Sequence, residues 1–253
     1  LPLSLFSRPP YLDALEDSAS PDKGWSRLRD LAAPIYRKEH SWGEFVFDQA
    51  FAQAYAQAGL DYYPKLVCAI PFTPVCCAKL GSQPAATAEA LRQRIDAGEG
   101  SSAHLLFLPE AERAAINHPQ WLRRRDLRFV WRDREFGDFD GFLASLKAKK
   151  RKNIRAERRQ VQALGLDIEW LPAAKLSDED WQRVYRLYAS TYHMRGQAPY
   201  LSFSSLQKMG VAFPEQMLFC LARDAADIQA MAYFFHDQVS LYGRHWGAAR
   251  DFP

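Results

Sequence analysis

Apolar positions along the chain switch between helical and extended spacing, and the switches outline a series of elements. Phe47, Phe51, Ala54, Tyr55 and Ala58 recur at helical spacing and stop at Gly59. The run Lys65–Ile70, closed by Pro71 and Pro74, reads as a buried strand. Pro84 opens a helix carrying Ala88, Leu91 and Ile95, with Gly98 just past its end. His104–Leu108 predicts a second buried strand, Pro109–Ile116 a short helix, and Leu127–Trp131 a third strand. Asp138 or Asp140 can cap the next helical region, which continues to Leu164 with a break near Ser145. After a strand over Leu166–Trp170, Ser177 caps a helix whose Trp181, Val184, Tyr185, Tyr188 and Tyr192 share one face. Met217–Ala222, Ile228–Phe235 and Val239–Trp246 read as strands, and the connections Asp224–Asp227 and His236–Gln238 are short enough for antiparallel hairpins. The pattern predicts mixed sheets flanked by helices, an α/β architecture built twice.

Charge sharpens one part of this outline. From Lys147 to Arg159 there are eight cations and one acid, a local charge of +7 in a chain whose total is +3. On a helix, Leu143, Leu146, Ile154, Val161 and Leu164 form one stripe, and Lys147, Arg151, Lys152, Arg155, Arg158 and Arg159 project from the other side. Gly165 stands where the helix should stop. A docked helix with one cationic face suits phosphate or another polyanion. Solvated surface is the plainer explanation of the same face. Lys150 falls at the angle of the apolar stripe. A continuous helix would send it with Glu157 toward an internal cleft, whereas a break at Ser145–Ala148 would leave it in water.

Composition mainly excludes. At 253 residues, 48% hydrophobic and 25% charged, the chain can bury a substantial core and is not disordered. The six histidines lack metal spacing, and no metal is expected. Cys68, Cys76, Cys77 and Cys220 make no C-x-x-C pair, which fits reduced thiols in a cytoplasmic protein. No apolar run is long enough to span a membrane.

Two polar clusters carry candidate chemistry. His40-Ser-Trp-Gly-Glu-Phe-Val-Phe-Asp48, followed by Asp61-Tyr-Tyr-Pro-Lys65, gathers a histidine, carboxylates, phenols and a lysine. Glu44 and Asp48 could instead simply cap the helix that follows. Tyr242-Gly-Arg-His-Trp246 interrupts an apolar strand with a glycine and a cation, as a bulge or a surface edge strand would.

Together these stretches resemble the FemAB-like branch of the GNAT acyltransferase superfamily, whose members are described as peptidoglycan biosynthesis or recognition proteins. The similarity lies in His40–Asp48, Tyr62–Leu66 with Pro71–Pro74, Phe142–Leu146, Arg151-Lys-Asn-Ile-Arg155 and Tyr242–Gly247, in family order across nearly the whole chain. It implies tandem GNAT-like folds, one over residues 1–137 and a second, with the basic helix, over 138–253. This second copy is expected to be incomplete at its C-terminal end, and the short span from Trp25 to Pro34 departs from the family pattern as well. The implied activity is transfer of an acyl or aminoacyl group, from acyl-CoA or aminoacyl-tRNA, to a small-molecule or peptide amine of a cell-wall precursor.

On this resemblance His40, Glu44 or Asp48 is the candidate base, and Tyr242 the candidate proton donor to the leaving group. Tyr63, Lys65, Lys150, Arg244 and Trp246 are expected to face substrate. Arg151, Lys152, Asn153, Arg155 and Arg159 are expected to hold the polyanionic donor, tRNA included. The rival expectation is a non-catalytic GNAT-like module that binds a cell-wall precursor or nucleic acid. Convergence of the two polar clusters would favour the enzyme.

Overall fold

Strand pairing organises the molecule into two four-stranded sheets. The structure, a computed structural model, describes residues 4–225 and 227–252, so residue 226, inside the expected Asp224–Asp227 turn, lies outside the described residues. The first sheet has the order β1 (Trp25–Leu28), β2 (Ile35–Lys38), β3 (Lys65–Cys68), β4 (Ala103–Leu105). Its first three strands are antiparallel, and β4 runs parallel to β3. The second has the order β5 (Asp167–Pro172), β6 (Met217–Arg223), β7 (Ile228–His236), β8 (Leu241–Ala248), antiparallel throughout. Only the first sheet is therefore mixed. The short links after β6 and β7 cannot carry a crossover, so they force antiparallel neighbours.

The helices are α1 (Pro9–Ala14), α2 (Gln49–Gln57), α3 (Pro84–Asp96), α4 (Glu110–Ala115), α5 (Phe139–Ala144), α6 (Ala148–Ala163), α7 (Asp178–His193) and α8 (Phe203–Ala212). Local chemistry accounts best for α7. Ser177 and Asp180 form a reciprocal capping box, and three acids occupy the positive end of the helix dipole. Trp181, Val184, Leu187 and Tyr188 then face the second sheet and are buried. Each buried aliphatic side chain on that face contributes about 1.5–3 kcal/mol. The helix lies so close to β8 that a Cβ on Gly247 would sit 2.1 Å from the Leu187 carbonyl oxygen.

The N-terminal segment also packs on the second sheet. The Phe6 ring meets Phe235 at 5.7 Å and Tyr242 at 5.0 Å, and the Ser18 and Ser205 hydroxyls lie 2.7 Å apart. One core cluster unites Phe6, Tyr11, Trp25, Tyr36 and Phe72 with Tyr188, Phe219 and Phe235, so the two sheets share packing through the chain's first seventy-odd residues. A smaller core of Ile35, Leu66, Cys68, Leu80 and Leu91 lies between the first sheet and α3.

Two sequence expectations are corrected. Leu127–Trp131 forms no strand and is exposed. A strand needs a neighbour to receive its backbone groups, and no described strand pairs beyond the three-residue β4. The basic segment is also not docked: α5 ends at Ala144, α6 begins at Ala148, and α6 buries none of its side chains. The break near Ser145 is observed, with Ser145 as the C-cap of α5 and Asp138 as its N-cap.

Candidate functional site

The first cluster is built by three elements that meet at Lys65. β3 carries Lys65 inward, the loop after β2 supplies Ser41 and Glu44, and Asp48 stands at the N-cap of α2. The Lys65 ammonium donates to Glu44 Oε2 at 2.8 Å and to Ser41 Oγ at 2.7 Å, and it also binds Asp48 Oδ2. Tyr62 donates to the same Asp48 oxygen at 2.7 Å, and Tyr63 shares a 2.8 Å hydrogen bond with Ser41. Lys38, directly opposite Lys65 in the β2–β3 ladder, brings a second cation. Its ammonium lies 3.6 Å from the centre of the Trp25 ring and donates to the Trp42 carbonyl at 3.2 Å. Lys38 and Lys65 are 0% exposed, and Glu44 and Asp48 2%, so two amines and two carboxyl groups share a closed interior.

Burial pulls these groups away from their ordinary titration ranges. Lys38 is pushed down to about 7, chiefly by burial and further by Lys65, although Glu44 works against the shift. Burial raises the Glu44 carboxyl, with Lys65 opposing. Burial also pushes Asp48 upward, but the hydrogen bonds of Lys65, Ser41 and Tyr62 prevail and hold it below the usual carboxylate value. Glu44 Oε1 and Asp48 Oδ1 are buried without a hydrogen-bond partner among the described residues. His104, 2.9 Å from Ser102 Oγ at the rim, is pushed down to about 4 by burial and then by Lys65.

His40 stands beside this network without joining it. Its Nδ1 accepts from the Trp42 backbone N–H at 3.1 Å, and it makes no hydrogen bond to Glu44, Asp48 or Lys65 among the described residues. The loop they share turns on Gly43, which has a positive φ of 79° and a site where a Cβ would press to 2.6 Å from the Phe72 ring.

The second cluster lies on β8. The β7–β8 register shifts between Tyr233 and Phe234, which pair with His245 and Gly243, so Arg244 is the extra residue of a bulge. Arg244 Nη2 donates to the Phe72 carbonyl at 2.7 Å and approaches Thr73 Oγ1 at 3.3 Å, which ties β8 to the first half. Around it, the His245 ring packs against Tyr188 at 4.9 Å, and its Nδ1 lies 3.4 Å from the Tyr192 hydroxyl. Arg244 Nε, His245 Nε2 and the Tyr233 hydroxyl are buried with no hydrogen-bond partner among the described residues. His245 is pushed down to about 3 by burial and the neighbouring Arg244, so it is uncharged at neutral pH.

The two clusters meet at one turn but share no hydrogen bond among the described residues. Phe72 donates its N–H to Gly43 of the first cluster at 3.1 Å and accepts Arg244 of the second. Tyr242 points elsewhere: its hydroxyl donates to Asp237 at 3.0 Å, on its own hairpin. Trp246 is exposed on the outside of β8.

The cations of α6 divide by partner. Arg151 donates to the Ala144 and Leu146 carbonyls at 3.2 and 3.0 Å, Arg155 reaches Asp140 at 3.4 Å, and the Arg158 guanidinium covers the Phe139 ring at 4.1 Å. These three hold α5 against α6. Lys152, Asn153 and Arg159 are exposed. Lys150 is exposed too, which corrects the expectation that it enters a cleft. The break before Ala148 starts a new helix, and the stripe that would have carried Lys150 inward does not continue through it.

Sequence reasoning missed Lys38 and His104, and it gave no role to Thr73 or His245, although both lie in stretches it singled out. The alternation Tyr36, Lys38, His40 could have placed Lys38 on the inner face of a strand, but lysines are so seldom buried that the signal is easily discounted. Among the described residues no group of three or more His, Cys, Asp or Glu could hold a metal, and no helix is long and apolar enough to cross a membrane.

Comparison with known families assigns the chain. The FemAB-like family, described as peptidoglycan biosynthesis/recognition, matches residues 3–253, and the chain belongs to it. Membership gives a peptidoglycan-related transferase role in general terms. No curated protein matches the chain.

Proposed function

We propose, with membership of the FemAB-like family as premise, that the chain moves an acyl or aminoacyl group from acyl-CoA or aminoacyl-tRNA to an amine of a cell-wall precursor. In this reading each sheet is the core of a GNAT-like fold, and transfer takes place on β8 beside the turn at Phe72–Thr73. The observation that carries it is the bulge at Arg244. A bulge releases a peptide unit from the ladder, and such a unit can polarise the donor carbonyl. Beside it lie the unpartnered Arg244 Nε, His245 Nε2 and Tyr233 hydroxyl, buried groups whose desolvation a bound polar ligand would offset.

Uncharged His245 can hydrogen-bond an uncharged amine without repelling it. Glu44, Asp48 and Lys65 act as positioning groups, since their sealed network fixes the Gly43 loop against the turn that receives Arg244. His40 and Tyr63, half-buried at the rim, face the acceptor. Tyr242 serves the leaving group only after its hydroxyl releases Asp237. The exposed cations Lys152 and Arg159 attract the donor's phosphates.

One observation favours the second reading, a non-catalytic binding module: the recorded partners of the α6 cations all belong to α5 and the linker after it, and none to the acid–base cluster. Thermal melts with acetyl-CoA or with aminoacyl-tRNA, followed by an assay with an amine acceptor, test both. A donor at a hundred times its Kd adds about 2.7 kcal/mol of stability. Protection with transfer supports the enzyme, protection without transfer supports the binding module, and no protection by either donor defeats both.

A further inference from the structure

From Leu122 to Arg134 the chain forms neither helix nor strand and lies open to solvent. These residues include six arginines and two aspartates, a net charge of +4. Arg124 donates to the Phe47 carbonyl at 2.7 Å, which sets α2's leading edge beside the segment. Arg123, Arg125, Arg128, Arg132 and Arg134 make no hydrogen bond or ion pair among the described residues. Interleaved with them, Leu122, Leu127 and Phe129 are 90%, 91% and 99% exposed, Trp131 is 66% exposed, and neighbouring Phe47 is 74% exposed.

Arginines alone would be ordinary solvated surface, and an apolar patch alone would be a face without a partner. Their alternation along one open segment narrows the choice, because few surfaces offer dense phosphate and hydrocarbon together. We propose that residues 122–134, with Phe47 beside them, form an interfacial site for an anionic lipid bilayer. The guanidinium groups pair with lipid phosphates, to which their planar fork is suited. Leu127, Phe129 and Trp131 enter the boundary between headgroups and acyl chains. The backbone here has no strand partner, so the segment stays at the depth where water and headgroups can satisfy its N–H and C=O groups.

Single-stranded nucleic acid would also welcome arginine and aromatic rings. Leu122 and Leu127, almost wholly exposed, offer no ring face for a base to stack on, whereas hydrocarbon accepts them as readily as Phe129. The aliphatic positions therefore favour lipid. The proposal is independent of the transfer chemistry and of the α6 cations.

Co-sedimentation of the full chain with vesicles tests it, using phosphatidylcholine alone and phosphatidylcholine mixed with phosphatidylglycerol. The expected result is binding to the anionic vesicles, weakened by salt, and far weaker binding to phosphatidylcholine alone. L127S/F129S, altered at solvent-exposed positions, should keep the wild-type Tm and lose about tenfold in partition. R125Q/R128Q should lose about fivefold per cation removed. Equal partition onto both vesicle types overturns the proposal. So does wild-type partition by L127S/F129S, and in that case competition by a single-stranded oligoribonucleotide would identify a polynucleotide surface instead.

Discussion

Lys38 and Lys65 stand side by side on β2 and β3 with no exposure, whereas Lys149, Lys150 and Lys152 on α6 stand in water. The buried lysines are fixed by two carboxylates, a tryptophan face and a carbonyl. Among the described residues only the arginines of α6 find partners, and those partners belong to α5 and the linker that follows it. Density of charge in the sequence thus points to α6, while the strongest electrostatic constraints surround two lysines that no charge run announces. The difference follows from solvation. A cation in water interacts weakly with its neighbours, and the same cation in a closed interior must be matched or neutralised.

This contrast can be broken most sharply at Lys65. Lys65→Met leaves Glu44 and Asp48 buried without their cation, and should cost about 3–5 kcal/mol in urea unfolding. A loss below about 1 kcal/mol would mean that the cluster is solvated in solution.

A pH series sharpens the same point. The Lys38 ammonium has a value of about 7 in the folded protein against an ordinary 10.5. Between those values the unfolded chain holds a proton that the folded chain has released. Its contribution to stability therefore grows as pH rises through that window, is complete above 10.5, and is lost as pH falls through about 7. Lys38→Met should remove this rise from denaturation curves recorded across the alkaline range. An unchanged slope in the variant would assign the effect to other groups.

On α6 the expected effects are smaller and differ between neighbours. Arg151→Gln removes a donor to the Ala144 carbonyl at the end of α5 and to the Leu146 carbonyl in the linker, and should cost about 1 kcal/mol at most, because the site is half-open to solvent. Lys150→Met, at an exposed position, should change stability by no more than about 0.5 kcal/mol. Equal losses in both variants would erase the distinction between the arginines that hold α5 and the free lysines.

The second sheet was the more legible half. Ser177 and Asp180 announce α7 before its apolar face begins, and the short links around β7 dictate antiparallel pairing. The glycine and cation in β8 fitted either a bulge or an edge strand, and β8 is both: its register shifts at Arg244 and it ends its sheet. In the first half, β1 and β2 passed unread because each is only four residues long and includes charged side chains, too short a run to outweigh the rarity of buried lysine. Leu127–Trp131 errs in the opposite direction: its strand-like composition is real, but pairing depends on a neighbour the local sequence cannot specify. Glu44, Asp48 and Lys65 could be grouped from their shared stretches. Lys38 could not, because its place depends on a tryptophan one strand away and on a lysine directly across the ladder.

The division of labour between the two regions is tested most directly by the salt dependence of donor binding. Lys147, Lys152 and Arg159 would be replaced together by Gln, which spares the arginines that hold α5. Affinity for aminoacyl-tRNA or acyl-CoA would be measured across a salt series alongside the Lys65→Met variant. The expected result is weaker binding and a shallower salt slope in the triple variant, by roughly one unit for each phosphate contact removed. Lys65→Met should keep the wild-type slope under conditions where it remains folded. An unchanged slope in the triple variant, or a flattened one in Lys65→Met alone, would contradict the assignment of donor attraction to α6 and of positioning to the buried cluster.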